Sequence, residues 1–113
     1  MKLIKKEEAK IFKNSSACTA IEYPLGDSAI NGAVIELNGR YPDKGRAVNE
    51  LCKELFYVIK GSGKVEVDSR EFEISEGDMG LINPGEKFFW EGNMTLMMPC
   101  VPAWSRVQYK EAE

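Results

Sequence analysis

The sequence predicts an all-β fold, a sandwich or small barrel of antiparallel strands, and three observations predict it. Short apolar runs rich in β-forming residues are separated by clusters of Gly, Asp, Asn, Ser and Pro. Apolar and polar residues alternate with a period of two on both sides of Asp68-Ser69-Arg70, as they do in a hairpin. Helical periodicity is nearly absent, and about eight or more short strands in one small chain suit a closed or double-layered sheet.

Taken in order, residues 2–13 read as a short strand with a helical turn at Glu7–Lys10, followed by a loop at Asn14-Ser15-Ser16. Ala17–Tyr23 is a strand ended by Pro24 and the turn Gly26-Asp27-Ser28. Ala33–Leu37 is a strand, with Asn38-Gly39 closing it and Arg40–Arg46 forming a loop. Ala47–Leu51 leads into the run that opens at Glu54, continues through Phe56-Tyr57-Val58-Ile59 and closes at Gly61-Ser62-Gly63. Val65–Asp68 and Glu71–Ile74 make the hairpin. Met79–Ile82, Phe88–Trp90 and Met94–Met98 are three further strands, and Trp104–Tyr109 is a last strand or extended arm. Lys110–Glu113 reads as a mobile tail.

The chain of 113 residues is expected to form one domain, residues 1–113, with one core. A net charge of −3 with interspersed signs gives no reason to expect nucleic acid or an anionic membrane surface. No apolar run approaches the ~18 residues of a membrane span, and the charged start lacks the apolar centre of a secretory signal. Cys18, Cys52 and Cys100 are odd in number and far apart, which reads as reduced thiols in a cytoplasmic protein. There is no histidine, the usual base at neutral pH.

The run from Glu54 is apolar at alternate positions on both faces. Phe56 and Val58 share the face of Glu54, and Leu55, Tyr57 and Ile59 lie opposite. A strand apolar on both faces is covered on both sides. The expected second cover is another copy of the chain, in a homodimer, with the N-terminal Leu3, Ile4, Ile11 and Phe12 as its rival.

Two spacings carry a family resemblance: Glu54, six residues, Gly61; and Gly77, five residues, Pro84 and Gly85, two residues, Phe88. In this register the chain resembles the cupin superfamily, small jelly-roll barrels of two antiparallel sheets, over roughly residues 30–100. The resemblance implies a metal site of three histidines and one glutamate. Here only Glu54 remains. The His-x-His pair falls on Val48 and Glu50 or on Ala47 and Asn49, and the last histidine falls on Phe88. Imidazole nitrogen is what such sites use for Fe, Mn, Ni and Zn, so the resemblance transfers the fold and not the metal chemistry.

The expected ligand pocket is Glu50, Cys52, Glu54, Phe56, Phe88 and Trp90. Glu54 is either a ligand-binding or acid–base carboxylate or one paired with Lys or Arg at the rim. Glu50 and Cys52 share its face if the strand is regular back to residue 50, and a row of two carboxylates and a thiol can hold Zn²⁺. Phe88 and Trp90 either floor a pocket or fill the barrel. No tightly bound transition metal or other cofactor is expected; were a metal present, Glu50, Cys52 and Glu54 would be its ligands. Three functions fit: a small-molecule binder, which the residues favour; a metal-independent sugar-type isomerase or epimerase using barrel carboxylates; and a structural or regulatory dimer with a filled barrel.

Overall fold

The computed structural model describes residues 1–113. Its strands are β1 (Lys10–Lys13), β2 (Cys18–Tyr23), β3 (Gly32–Tyr41), β4 (Arg46–Asn49), β5 (Lys53–Val67), β6 (Arg70–Ser75), β7 (Met79–Ile82), β8 (Lys87–Met97), β9 (Cys100–Val101) and β10 (Tyr109–Ala112). Single 3-10 turns lie at Lys6–Glu8 and Arg106–Gln108. Every strand pairing is antiparallel.

The strands form a jelly roll of two layers. One runs β1-β2-β3-β8-β5-β7 and the other β10-β4-β8-β5-β6. The long strands β5 and β8 belong to both layers because each bends at mid-length. Gly63 of β5 sits opposite Gly92 of β8 at the bend. A Cβ on Gly63 would collide with the Glu91 carbonyl oxygen, and one on Gly92 with the Gly63 backbone. Only glycine lets two backbones approach this closely where a sheet turns a corner.

Several boundaries differ from the sequence reading, and one cause recurs. Gly61-Ser62-Gly63 does not close a strand; it is the bend inside the 15-residue β5. Residues 88–98 do not form two strands, because β8 runs unbroken to Met97 through Gly92. Asn38-Gly39 does not end β3, which stays paired with β8 to Tyr41. In each case neighbouring strands outcompete the local turn preference. The tail is not loose either: Tyr109–Ala112 pairs with Arg46–Asn49. The hairpin at Asp68-Ser69 holds, with φ of 48° and 68° at its two turn residues, the conformation that primed hairpin turns need.

Between the layers lies the core. Phe56, Val58, Ile82 and Phe88 are buried, the first two on the face of β5 that alternation assigns them with Glu54. The Phe56 and Trp90 rings meet edge to face at 5.0 Å and join the two layers. Phe89 points the other way yet is buried, because the Arg40 and Arg46 guanidinium groups cover its ring at 4.0 and 4.7 Å from its centroid. Arg46 is held there by an ion pair with Glu66 at 2.7 Å. On the outer face of β5, Tyr57 and Ile59 remain 37% and 43% exposed. The N-terminal strand does not cover them, since β1 pairs only with β2 at the far edge of that layer. No helix is long and apolar enough to cross a membrane.

Candidate acid–base cavity

Glu54 sits on the inner face of β5, paired with Ile82 of β7 on one side and Cys100 of β9 on the other. It is only 6% exposed. Its Oε2 accepts a hydrogen bond from Asn49 Nδ2 at 3.0 Å and a weak one from the Cys100 thiol at 3.8 Å. Asn49 is itself held: its Oδ1 accepts from Gln108 Nε2 at 3.0 Å. Gln108 is held in turn, its Oε1 accepting the backbone N–H groups of Leu51 and Cys52 at 3.1 and 3.2 Å. The relay therefore has a fixed direction, from backbone N–H through two amides to the carboxyl. Amide orientation here follows from that network of partners.

Burial dominates the electrostatics. Desolvation raises the Glu54 pKa from 4.5 to about 7, against the opposing pull of the Asn49 and Cys100 hydrogen bonds. The groups around it are kept neutral by the same cause: burial pushes the Cys18 thiol up to about 11 and the Cys52, Cys100, Tyr41 and Tyr109 groups upward as well.

Beside Glu54 is a cavity of about 680 Å³ with 22 lining residues, 15 of them hydrophobic. Its walls include Phe88, Trp90, Trp104, Tyr41 and Tyr109, and its exposed lining residues, 11–14 with Arg106 and Glu111, mark the mouth. The Tyr109 hydroxyl donates to the Tyr41 hydroxyl at 3.4 Å. No buried side-chain polar atom lacks a partner, and Glu54 Oε1 has none within the protein, so Oε1 opens to the cavity.

Of the six expected pocket residues, Glu54, Phe88 and Trp90 line this cavity. Cys52 and Phe56 are buried but lie outside its lining. Glu50 is exposed, which corrects the expected parity. β4 ends at Asn49 and residues 50–52 bend before β5 begins, so Glu50, Cys52 and Glu54 do not form one row. No three His, Cys, Asp or Glu side chains come together. The three histidine positions of the resembled site fall on Ala47, Asn49 and Phe88, with Ala47 directly opposite Phe88 across β4 and β8. A methyl, an amide turned toward a carboxylate and a phenyl ring offer a transition metal nothing, so these residues do not fit the metal.

Asn49 was visible in the sequence as one of two candidate registers. Tyr41, like Tyr23 and Glu36, is a residue the sequence allows at the barrel mouth without placing it, and it does line the cavity. The lining residues Cys100 and Tyr109, and Gln108 behind Asn49, were missed. Only the return of the C-terminal strand onto β4 brings Gln108 to Asn49, a separation of 59 residues.

A family model described as a cupin domain matches residues 42–101. No curated protein matches the sequence. Among solved structures, the Streptomyces protein Pac13, described as a nucleoside dehydratase and also solved with uridine, superposes with a TM-score of 0.89 at 16% identity, covering 98% of this chain and 90% of that one. KdgF from Halomonas sp. gives 0.71 at 12% identity over 93% and 96%. A protein from Planctomyces limnophilus gives 0.81 at 10% identity over 96% and 95%. At these identities the likeness is one of fold.

Proposed function

We propose, for a chain that belongs to the cupin domain family, that it binds a small neutral molecule in the barrel without a transition metal. The observation that carries this is the cavity itself, within the 300–1,000 Å³ typical of ligand pockets, mostly apolar, with a few convergent polar groups. Aromatic walls suit a flat ring or the apolar face of a sugar. Glu54 and the Tyr41 hydroxyl supply hydrogen bonds to hydroxyl or carbonyl oxygens. That Pac13 has been solved with uridine supports a ligand of nucleoside size and chemistry. A cytoplasmic setting, where buried thiols stay reduced, suits the three free cysteines.

The chain contains two tryptophans, and both line the cavity. Their fluorescence therefore reports occupancy. Titration with uridine, or with a neutral pentose, is expected to quench or shift the emission at concentrations below about 1 mM, a binding free energy of roughly −4 kcal/mol. No change with either class of compound contradicts the binding reading.

The working form we propose is a two-fold pair. Ile21, Val34, Met97, Tyr57 and Met79 stand directly opposite one another across β2, β3, β8, β5 and β7. Met79 is 62% and Met97 45% exposed. Leu55, Leu81 and Val101 extend the apolar face on one side. On the other side Thr19, Glu36, Thr95 and Lys60 form a polar row. The apolar row spans about 19 Å at ~4.8 Å per strand. With its neighbours it provides the centre of the roughly 800 Å² per partner that a standard interface needs. A two-fold axis through Met97 would bring Glu36 of one copy toward Lys60 of the other, so the face suits a second copy of itself. Sedimentation equilibrium at micromolar concentration is expected to give twice 12.7 kDa, and Met97→Lys to give the monomer. A wild-type monomer contradicts the pairing.

A further inference from the structure

We propose that Glu54 is an acid–base centre whose transferable proton sits on Oε1 and faces the cavity, with Asn49 and Gln108 as positioning residues. The inference rests on the cavity being a binding site and adds to it a reaction class, proton transfer to or from a neutral hydroxy-carbonyl molecule. Oε2 meets the Asn49 amide N–H, which can only donate, and the Cys100 thiol, placed to donate to it weakly. Asn49 cannot turn its oxygen toward Glu54 without losing the Gln108 hydrogen bond, and Gln108 is pinned by two backbone N–H groups. A proton on Oε2 would point at the fixed Asn49 N–H or exchange the thiol hydrogen bond for a weak one to sulfur. The proton of the acid form therefore belongs on Oε1, which has no hydrogen-bond partner within the protein and opens to the cavity.

The step balances without a metal or redox partner. As an acid, Glu54 breaks its Oε1–H bond and passes the proton to a ligand oxygen or carbon, leaving a carboxylate whose Oε2 keeps both hydrogen bonds. As a base, the Oε1 lone pair takes a proton from a ligand C–H or O–H, and the electron pair of that bond stays on the ligand. For a carbon acid next to a carbonyl, that pair moves onto the carbonyl oxygen. The Tyr41 hydroxyl accepts from Tyr109 and so keeps its own hydrogen free to donate there. A general acid–base group works best with a pKa near the operating pH, and Glu54 is held at about 7. Around it, Cys18 of β2, Cys52 before β5, Cys100 of β9, Tyr41 of β3 and Tyr109 of β10 are all raised and stay neutral through that range. The remaining charged lining groups are Glu22, Lys13, Arg106 and Glu111. Glu54 is thus a buried lining carboxyl that changes charge at neutral pH.

Dicyclohexylcarbodiimide tests this without knowledge of the ligand. The reagent is uncharged and apolar; it takes the proton of a carboxylic acid onto nitrogen and bonds the carboxylate oxygen to its central carbon as an O-acylisourea. The acyl group then moves from oxygen to nitrogen to leave a stable N-acylurea. Peptide mass spectrometry of the treated wild type is expected to show Glu54 as the main modified carboxyl at pH 6.5. Modification should decline through about pH 7 and fall roughly tenfold per unit above it, as the protonated fraction does. In Asn49→Ala, which loses a hydrogen bond to the charged form, the midpoint of that profile should move upward; an unmoved midpoint denies Asn49 its positioning role. If uridine or a pentose changes the tryptophan emission while Glu54 stays unmodified, the acid–base inference is overturned and the binding reading stands. If neither compound binds and Glu54 stays unmodified, both are overturned.

Discussion

Replacing Glu54 with glutamine is expected to stabilise the protein by about 3 kcal/mol at pH 8 and by almost nothing at pH 4. The folded state holds the Glu54 proton more tightly than the unfolded chain does, with a pKa of about 7 against 4.5. The stability linked to that proton is fully present below pH 4.5 and is lost as pH rises through 7. A shift of this size corresponds to about 3 kcal/mol between its two ends. Glutamine keeps an oxygen for Asn49 and stays neutral at every pH, so the variant should lose this slope. Urea unfolding at pH 4, 6 and 8 measures it, and parallel pH profiles for the two proteins would contradict the account. The same substitution removes the transferable proton, so stability is expected to rise where acid–base function is lost, the trade expected at a site strained for its chemistry.

Phe88→Ala is expected to cost about 3 kcal/mol, the low end for truncating a buried phenylalanine. The ring is buried, meets Trp90 edge to face at 6.3 Å and stands opposite both Ala47 and Val67. One side of it borders the cavity, so fewer atoms lose contact than in a filled core. A loss below about 1 kcal/mol would mean that the ring hangs freely in an open pocket. Unfolding at pH 6 reads the difference. The variant should also enlarge the cavity and weaken the response of tryptophan emission to a flat ligand such as uridine.

Much of the fold was legible because alternation is a local signal. Glu54, Phe56 and Val58 fall on one face of β5 and Leu55, Tyr57 and Ile59 on the other, whatever the rest of the chain does. The ends of strands were less legible. The Gly61-Ser62-Gly63 and Asn38-Gly39 signals are real local preferences, but the long ladder between β5 and β8 and that between β3 and β8 override them. Glycine at such a point reads in sequence as a turn, whereas in the folded chain it is the corner at which one strand passes between two layers.

The site was legible only in part, for a related reason. Glu54, Phe88 and Trp90 could be placed by counting within single strands. Glu50 could not, since a two-by-two count from Glu54 assumes a regular strand and the chain bends at residues 50–52. Gln108, Tyr109 and Cys100 belong to the C-terminal part of the chain, and nothing local announces that Tyr109–Ala112 adds to β4. The relay that orients Glu54 is a product of topology, which is why the spacing of the motifs pointed to the carboxylate but not to what holds it. The absence of histidine was the most informative single fact in the sequence: it left Glu54 without its implied metal partners, and the structure surrounds it with amides, thiols and aromatic rings instead.

Acid–base chemistry in this cavity requires that Glu54 carry an exchangeable proton at neutral pH. Carbon-13 NMR of the protein labelled at the glutamate carboxyl carbons, with Glu54→Gln assigning the resonance, follows its protonation directly. A midpoint near pH 7 for Glu54, well apart from the exposed glutamates, is the predicted result. A midpoint near 4.5, among the ordinary carboxylates, would contradict the acid–base reading and the pH-dependent stability together.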